Sequence, residues 1–194
     1  MCLGLSPCSS KTSVSLVPPK PPSRFLHVTQ GRTHSRELVV DDQLEFDRLL
    51  QEPKSFQDCT SLTIVCINNV QMKSHQIQTL IPFLTNLREL TFMNCQIDDD
   101  GAQAIADPAQ LVNLTSLNLS DNQIGDQGAQ AIARATYLVN LTSLNLEYNQ
   151  LSIVGIQAMT ESTHQLVHLT LNLNHNPITH DDAIVRANYF HEKI

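Results

Sequence analysis

The nine residues Leu111-Val-Asn-Leu-Thr-Ser-Leu-Asn-Leu119 recur letter for letter as Leu138 to Leu146, a shift of 27 positions. In the same frame Asn122 aligns with Asn149 and Asn176, and Cys95 takes that place one period earlier. Gly101, Gly128 and Gly155 keep the spacing. A fixed period of this length implies stacked supersecondary units that bury their apolar faces only against one another. Within each unit L-x-L alternates with period two, which predicts a short strand with its leucines inward. The Asn or Cys that follows falls where the chain turns inside the stack. A side-chain amide there satisfies backbone groups that water cannot reach. Gly101-Ala-Gln-Ala-Ile-Ala106 and Gly128-Ala-Gln-Ala-Ile-Ala133 predict helices whose small side chains allow close packing. The expected fold is an α/β solenoid, a curved horseshoe with parallel strands on the concave face and helices on the convex face.

The pattern L-x-x-L-x-L-x-x-N/C-x-I/L runs through Leu87, Leu90, Phe92, Cys95 and Ile97, then through Leu114, Leu117, Leu119, Asn122 and Ile124. It returns at Leu141, Leu144, Leu146, Asn149 and Leu151. A looser copy holds Leu166, Leu169, Leu171, Leu173, Asn176 and Ile178. A degenerate one (Leu62, Ile64, Val70, Ile77, Leu84) comes first, for about five repeats of 27 residues. The run Asn122-Gln-Ile-Gly-Asp-Gln-Gly-Ala-Gln-Ala-Ile-Ala133 resembles the ribonuclease-inhibitor subfamily of leucine-rich repeats, a resemblance that covers roughly residues 60–180. It implies a leucine-rich-repeat solenoid that binds protein on its concave strand face. That subfamily includes cytosolic inhibitors, immune sensor domains, an activator of the Ran GTPase and effectors that intracellular bacterial pathogens deliver into host cells. The near-identical adjacent copies and the small size are most similar to the effectors.

Around the repeats the texture changes. Residues 1–24 are rich in Ser and Pro and are expected to be disordered, because they hold too little apolar surface to offset their ordering entropy. Pro19-Lys-Pro-Pro22-Ser-Arg24 has the P-x-x-P-x-R form that suits aromatic grooves, though such tails match it often by chance. Residues 25–58 read as an N-terminal cap: a strand over Glu37-Leu-Val-Val40, then a helix N-capped by Asp41 and running through Gln51. Leu44, Phe46, Leu49 and Leu50 would form its apolar face and Pro53 its stop. Residues 59–194 would hold the repeats and a C-terminal capping helix.

Charge constrains the partner. The net charge of −7 splits unevenly: residues 1–40 carry five basic groups against Glu37 alone, and the remainder carries seven basic and eighteen acidic groups. An acidic body repels phosphate backbones, so nucleic acid is not the expected ligand, and a protein with a basic patch is steered toward it. No apolar run approaches the ~20 residues that cross a bilayer, so no membrane is expected. The first ten residues lack a secretory start, and the five cysteines form no C-x-x-C pair. The expected setting is cytoplasmic, with delivery into a host cytosol as the effector resemblance implies, and the chain is expected to be monomeric alone. Cys59, Cys66 and Cys95 are read as free thiols at strand-like positions.

No phosphate-binding, dinucleotide, zinc-protease or nucleophile-elbow motif is present. His164, His168, His175 and His180 straddle different elements without a carboxylate at ligand spacing, so a metal is not expected. Asp98-Asp99-Asp100 precedes a helix, where negative charge complements the N-terminal dipole. Asn113-Leu-Thr115, Asn140-Leu-Thr142 and Asn118-Leu-Ser120 match the glycosylation sequon, but as products of a duplicated repeat. The reading is a non-enzyme without cofactor that occupies a functional surface of another protein, an enzyme's active site included. An activator or regulator of a GTPase, supplying a polar group in trans, is the alternative.

The frame also places the binding residues. Thr91 and Met93, Asn118 and Ser120, Asn145 and Glu147, and Asn172 and Asn174 are the outward strand positions. Asn94, Asp121, Tyr148 and His175 follow where each strand meets its loop. Tyr148 is the one aromatic in its column, and Glu147 and Asp121 beside it are expected to hold a basic group while its stem packs on the ring. Five strands at ~4.8 Å make a strip of on the order of 400 Å², half of what a stable interface takes from each partner, so the loops must contribute.

Overall fold

The computed structural model describes residues 35–51, 53–162 and 169–177. The Ser/Pro-rich tail, the P-x-x-P-x-R match, His164, His168, His180 and the C-terminal capping helix lie outside them. Six strands form one parallel sheet in chain order: β1 Ser35–Val40, β2 Ser61–Cys66, β3 Glu89–Met93, β4 Ser116–Asn118, β5 Ser143–Asn145 and β6 Thr170–Asn172. Helices α1 Gln43–Leu49, α2 Ser74–Leu80, α3 Asp99–Ala106, α4 Asp126–Ala133 and α5 Ile153–Ser162 alternate with them. Helices α2 to α5 pack each against the next. The cap is therefore part of the sheet: β1 pairs residue for residue with β2 from Ser35↔Ser61 to Val40↔Cys66.

Alternation sets the two faces. Leu62, Ile64, Leu90, Phe92, Leu117 and Leu144 are buried under the helices, and the residues between them form the open face. In α1 the expected apolar face is not wholly inward. Phe46 and Leu50 are buried, whereas Leu44 is 63% exposed, because it stands about 200° around the helix from Phe46. The cap shifts by one residue from the expected Asp41: the Asp42 carboxylate accepts from the Leu44 N–H (2.9 Å) and the Asp42 carbonyl from the Phe46 N–H (3.1 Å). Of the three cysteines expected in strands only Cys66 lies in one; Cys59 precedes β2 and Cys95 follows β3.

Side-chain ladders tie the repeats together. The Asn122 Oδ1 accepts from the N–H groups of Cys95 (3.1 Å) and Ile97 (3.0 Å). Its Nδ2 donates to the carbonyls of Phe92 (2.8 Å), Leu119 (3.0 Å) and Ser120 (3.1 Å). Asn149 repeats this with Ile124 N–H and the carbonyls of Leu119, Leu146 and Glu147, and Asn176 does so with Leu151 N–H and the carbonyls of Leu146 and Leu173. A second ladder is made of carboxylates. Asp98 caps its own helix through Gly101 N–H, but Asp99 Oδ1 reaches over to Gly125 N–H (2.7 Å) and Gly128 N–H (2.8 Å), capping α4 from the preceding repeat. Asp126 does the same for Ser152 and Gly155 at α5. A third uses the sequon residues: Asn113 and Asn140 donate to the carbonyls of Thr85 and Val112, and Thr115 and Thr142 to those of Arg88 and Thr115.

Candidate partner-binding face

The register lays the open face out in columns. One runs Ser35, Ser61, Glu89, Ser116, Ser143, Thr170, and the next Glu37, Thr63, Thr91, Asn118, Asn145, Asn172. The first of these was absent from the sequence reading, which counted outward positions only from the middle of each strand onward. Its signal was the residue before each inward leucine.

Of the predicted positions Thr91, Met93, Asn118, Asn145, Glu147 and Asn172 are half-buried on this face, and Asn94, Asp121, Tyr148, Asn174 and His175 are exposed. Ser120 is a correction. It is only 4% exposed, so it is not available as a partner contact. The chain leaves the strand after Asn118 and turns inward, and the Ser120 carbonyl is taken up by Asn122 and by the Asn94 N–H. The asparagine column shares one local device: Asn118, Asn145 and Asn172 each accept, through Oδ1, the N–H two residues on (3.0, 2.9 and 3.1 Å). These side-chain turns end the strands after three residues.

Just past that turn stands a column of uniform and unusual backbone. Asn94, Asp121, Tyr148 and His175 have φ of 55°, 55°, 53° and 57°. Asn and Asp adopt this left-handed region readily, but an aromatic side chain there costs roughly 1 kcal/mol. Tyr148 and His175 occupy it on adjacent repeats, with ring centroids 4.2 Å apart and planes 2° from parallel. Tyr148 is 49% exposed.

Glu147 belongs to the same cluster. Its Oε2 accepts from Asn172 Nδ2 (3.1 Å), and its Oε1 lies 3.7 Å from His175 Nε2. The Glu147 carboxylate is thus turned toward β6, while Asp121 meets that residue through its N–H and the Glu147 carbonyl (3.0 Å).

Elsewhere the chemistry is quiet. The Cys95 Sγ lies 2.6 Å from Cys66 Sγ, and this contact and burial push the Cys95 thiol far above its ordinary range. Burial also raises Cys59. Thiols held protonated in this way are poor nucleophiles and poor metal ligands. Among the described residues no group of three or more His, Cys, Asp or Glu is placed to hold a metal ion. None of their helices is long and apolar enough to cross a membrane. A polar cleft of about 520 Å³ between α1 and α2 is lined by Gln43, Asp47 and Gln76, whose side chains already bond to one another.

Three stretches, residues 83–106, 110–133 and 137–159, match the family model described as Leucine Rich repeat. Together with the six parallel strands this makes the fold an α/β leucine-rich-repeat solenoid. Among solved structures the chain is similar to leiomodin-1 actin-binding site 2, at 24% identity and a TM-score of 0.52, over 76% of this chain and 88% of that one. It is also similar to the tropomodulin C-terminal domain of Caenorhabditis elegans, at 14% identity and a TM-score of 0.52, over 77% and 93%. No curated protein matches it by sequence.

Proposed function

We propose that this protein is a non-catalytic binding module that covers a functional surface of another protein with its open sheet face and the turns at the strand ends. The observation that carries the reading is Tyr148: an aromatic ring held half-exposed on a backbone conformation that disfavours it, beside an oriented carboxylate. Strain of this kind persists where a side chain is retained for contact rather than for stability. The partner presents a basic surface, since residues 89–162 hold nine acidic groups and Arg134 as their one basic group. The sheet strip alone is small, so the left-handed column and the neighbouring turns complete the interface. Occlusion of an enzyme's active site in a reducing cytosol, in the manner of a ribonuclease-inhibitor-type repeat or a bacterial effector delivered into a host, is the setting we favour.

Capture from cytosol on the full chain, compared with the Asp121→Ala, Glu147→Ala, Tyr148→Ala triple variant, tests the face. Partners lost by the variant support it, and identical capture by both proteins refutes it. Adding the chain to a captured enzyme then separates blocking from activation in trans, which raises turnover instead of lowering it. Actin is a defined first probe, because the name of the leiomodin-1 structure records an actin-binding site.

A further inference from the structure

We infer that the group seated at Tyr148 and His175 is an arginine side chain of the partner. The inference rests on the open face being the docking surface and names the chemistry that face takes at its Tyr148 end. The two rings stack face to face, with planes 2° apart and centroids separated by 4.2 Å, so each covers one face of the other and the pair offers its outer face and ring edges. Tyr148 is 49% exposed and the His175 side chain 56%, so those remaining surfaces are open to a ligand. A guanidinium is planar and weakly hydrated and gains from such a surface. An ammonium is a compact, strongly hydrated point charge and gains less.

The carboxylate beside the stacked rings strengthens the distinction. Glu147 accepts on one oxygen from Asn172 Nδ2 (3.1 Å) and has His175 Nε2 3.7 Å from the other, so it is oriented toward β6 before anything binds. An oriented planar acceptor next to a stacking surface matches the fork of arginine donors. Other occupants fit less well. A phosphate or carboxylate meets the field of nine acidic groups in residues 89–162. An apolar or aromatic side chain would stack on Tyr148 while stripping water from Glu147 without pairing it. Arginine answers both the ring and the charge.

The test titrates the full chain with acetyl-Gly-Arg-Gly-amide and follows Tyr148, Glu147 and His175 by NMR. The lysine peptide keeps the charge and loses the plane, and the citrulline peptide keeps the plane and loses the charge. We expect saturable shifts at these three residues with arginine, and binding weaker by about threefold or more with each analogue. Tyr148→Asn, which keeps a residue suited to the left-handed backbone, should abolish the saturable response. Absence of saturable shifts with the arginine peptide, or equal binding of the citrulline or lysine peptide, overturns the assignment. If capture on the face succeeds while the arginine peptide fails here, the docking surface stands and only the arginine falls.

Discussion

Between Ser35 and Met93 the sheet is built from strands of six, six and five residues, whereas each strand from Ser116 onward has three. The longer strands stand over a core of bulky side chains, with Phe46, Phe56, Phe92, Ile64 and Met72 all fully buried. At the ladder position that follows β3 stands one thiol: Cys95 Sγ is near the carbonyls of Met93 (3.3 Å) and Ile64 (3.6 Å). In the repeats the same position is Asn122, Asn149 or Asn176, and one amide serves several backbone groups at once. The charge divides along the same line, with five basic and eight acidic groups in residues 35–93 against one and eight in residues 94–162. Where the sequence is duplicated, side-chain amides add to main-chain pairing that runs on past the strands, from Leu119 N–H to the Asn145 carbonyl and from Asp121 N–H to the Glu147 carbonyl. The strand ends there turn early and present the left-handed column.

The largest expected effect breaks this comparison most directly. Asn122→Ala orphans the N–H groups of Cys95 and Ile97 and the Phe92 carbonyl, at ~1–3 kcal/mol each, so a loss of at least ~3 kcal/mol is expected. Cys95→Ala removes a small buried side chain with weak bonds and should cost about 1 kcal/mol. Urea unfolding of both variants measures the gap. Equal losses would mean that the ladder is not what holds the repeats.

A smaller contrast concerns the glycines. A Cβ on Gly155 would stand 2.5 Å from Asp126 Oδ1 and 3.2 Å from the Asp126 Cα, so the neighbouring backbone must move. On Gly101 its nearest contacts are side-chain atoms: it would stand 2.7 Å from the Ile97 Cγ2, on a stiff β-branched side chain, and 3.3 Å from the Ile77 Cδ1, the end of a side chain that can shift. We expect Gly155→Ala to cost about 2 kcal/mol. Gly101→Ala should cost less, about 1 kcal/mol, once the roughly 1 kcal/mol helix preference for alanine offsets part of the Ile97 displacement. Thermal unfolding that ranks Gly101→Ala as the worse of the two would reverse the argument.

Much of this was legible in the sequence because the period itself aligns partners. A stack with a 27-residue repeat puts Asn122 opposite Cys95 without any structural input, and the amide's role follows from burial. The carboxylate ladder was not legible, since Asp99 was readable as the N-terminal charge of its own helix and its acceptor bonds go to Gly125 and Gly128 instead. Ser120 was misplaced because its short side chain does not reach out of the face, unlike those of its equivalents Glu147 and Asn174, which follow the same turn and stay accessible. The left-handed column is hinted at by Asn94, Asp121 and His175 but masked by Tyr148, whose residue type argues against it.

Tyr148 sharpens the comparison at the level of about 1 kcal/mol. Tyr148→Ala and Tyr148→Asn both remove the ring and its stack on His175, but only asparagine tolerates φ of 53°. Both variants should lose partner affinity tenfold or more, corresponding to ~1.4 kcal/mol. The alanine variant alone should also be less stable, by about 1 kcal/mol relative to the asparagine variant. Differential scanning calorimetry beside a binding assay checks the split. Equal stability of the two would remove the backbone cost at this position, and retained affinity in either would remove Tyr148 from the binding face.

The smallest effect falls on the hydroxyl ladder. Thr142 Oγ1 donates to the Thr115 carbonyl at 3.0 Å, yet that carbonyl also accepts the N–H groups of Thr142 (2.8 Å) and Ser143 (3.1 Å). Thr142→Val therefore leaves no acceptor orphaned, and the exposed site lets water replace what is lost, so the cost should stay below about 0.5 kcal/mol. Thr63 on β2 makes no side-chain hydrogen bond among the described residues, and Thr63→Val should be neutral or slightly stabilising through its strand preference. Paired urea titrations resolve a difference of this size when the slopes match. A loss above ~1 kcal/mol for Thr142→Val would show that even redundant side-chain bonds matter where strands are three residues long, and the contrast between the two regions would be steeper than the hydrogen-bond geometry implies.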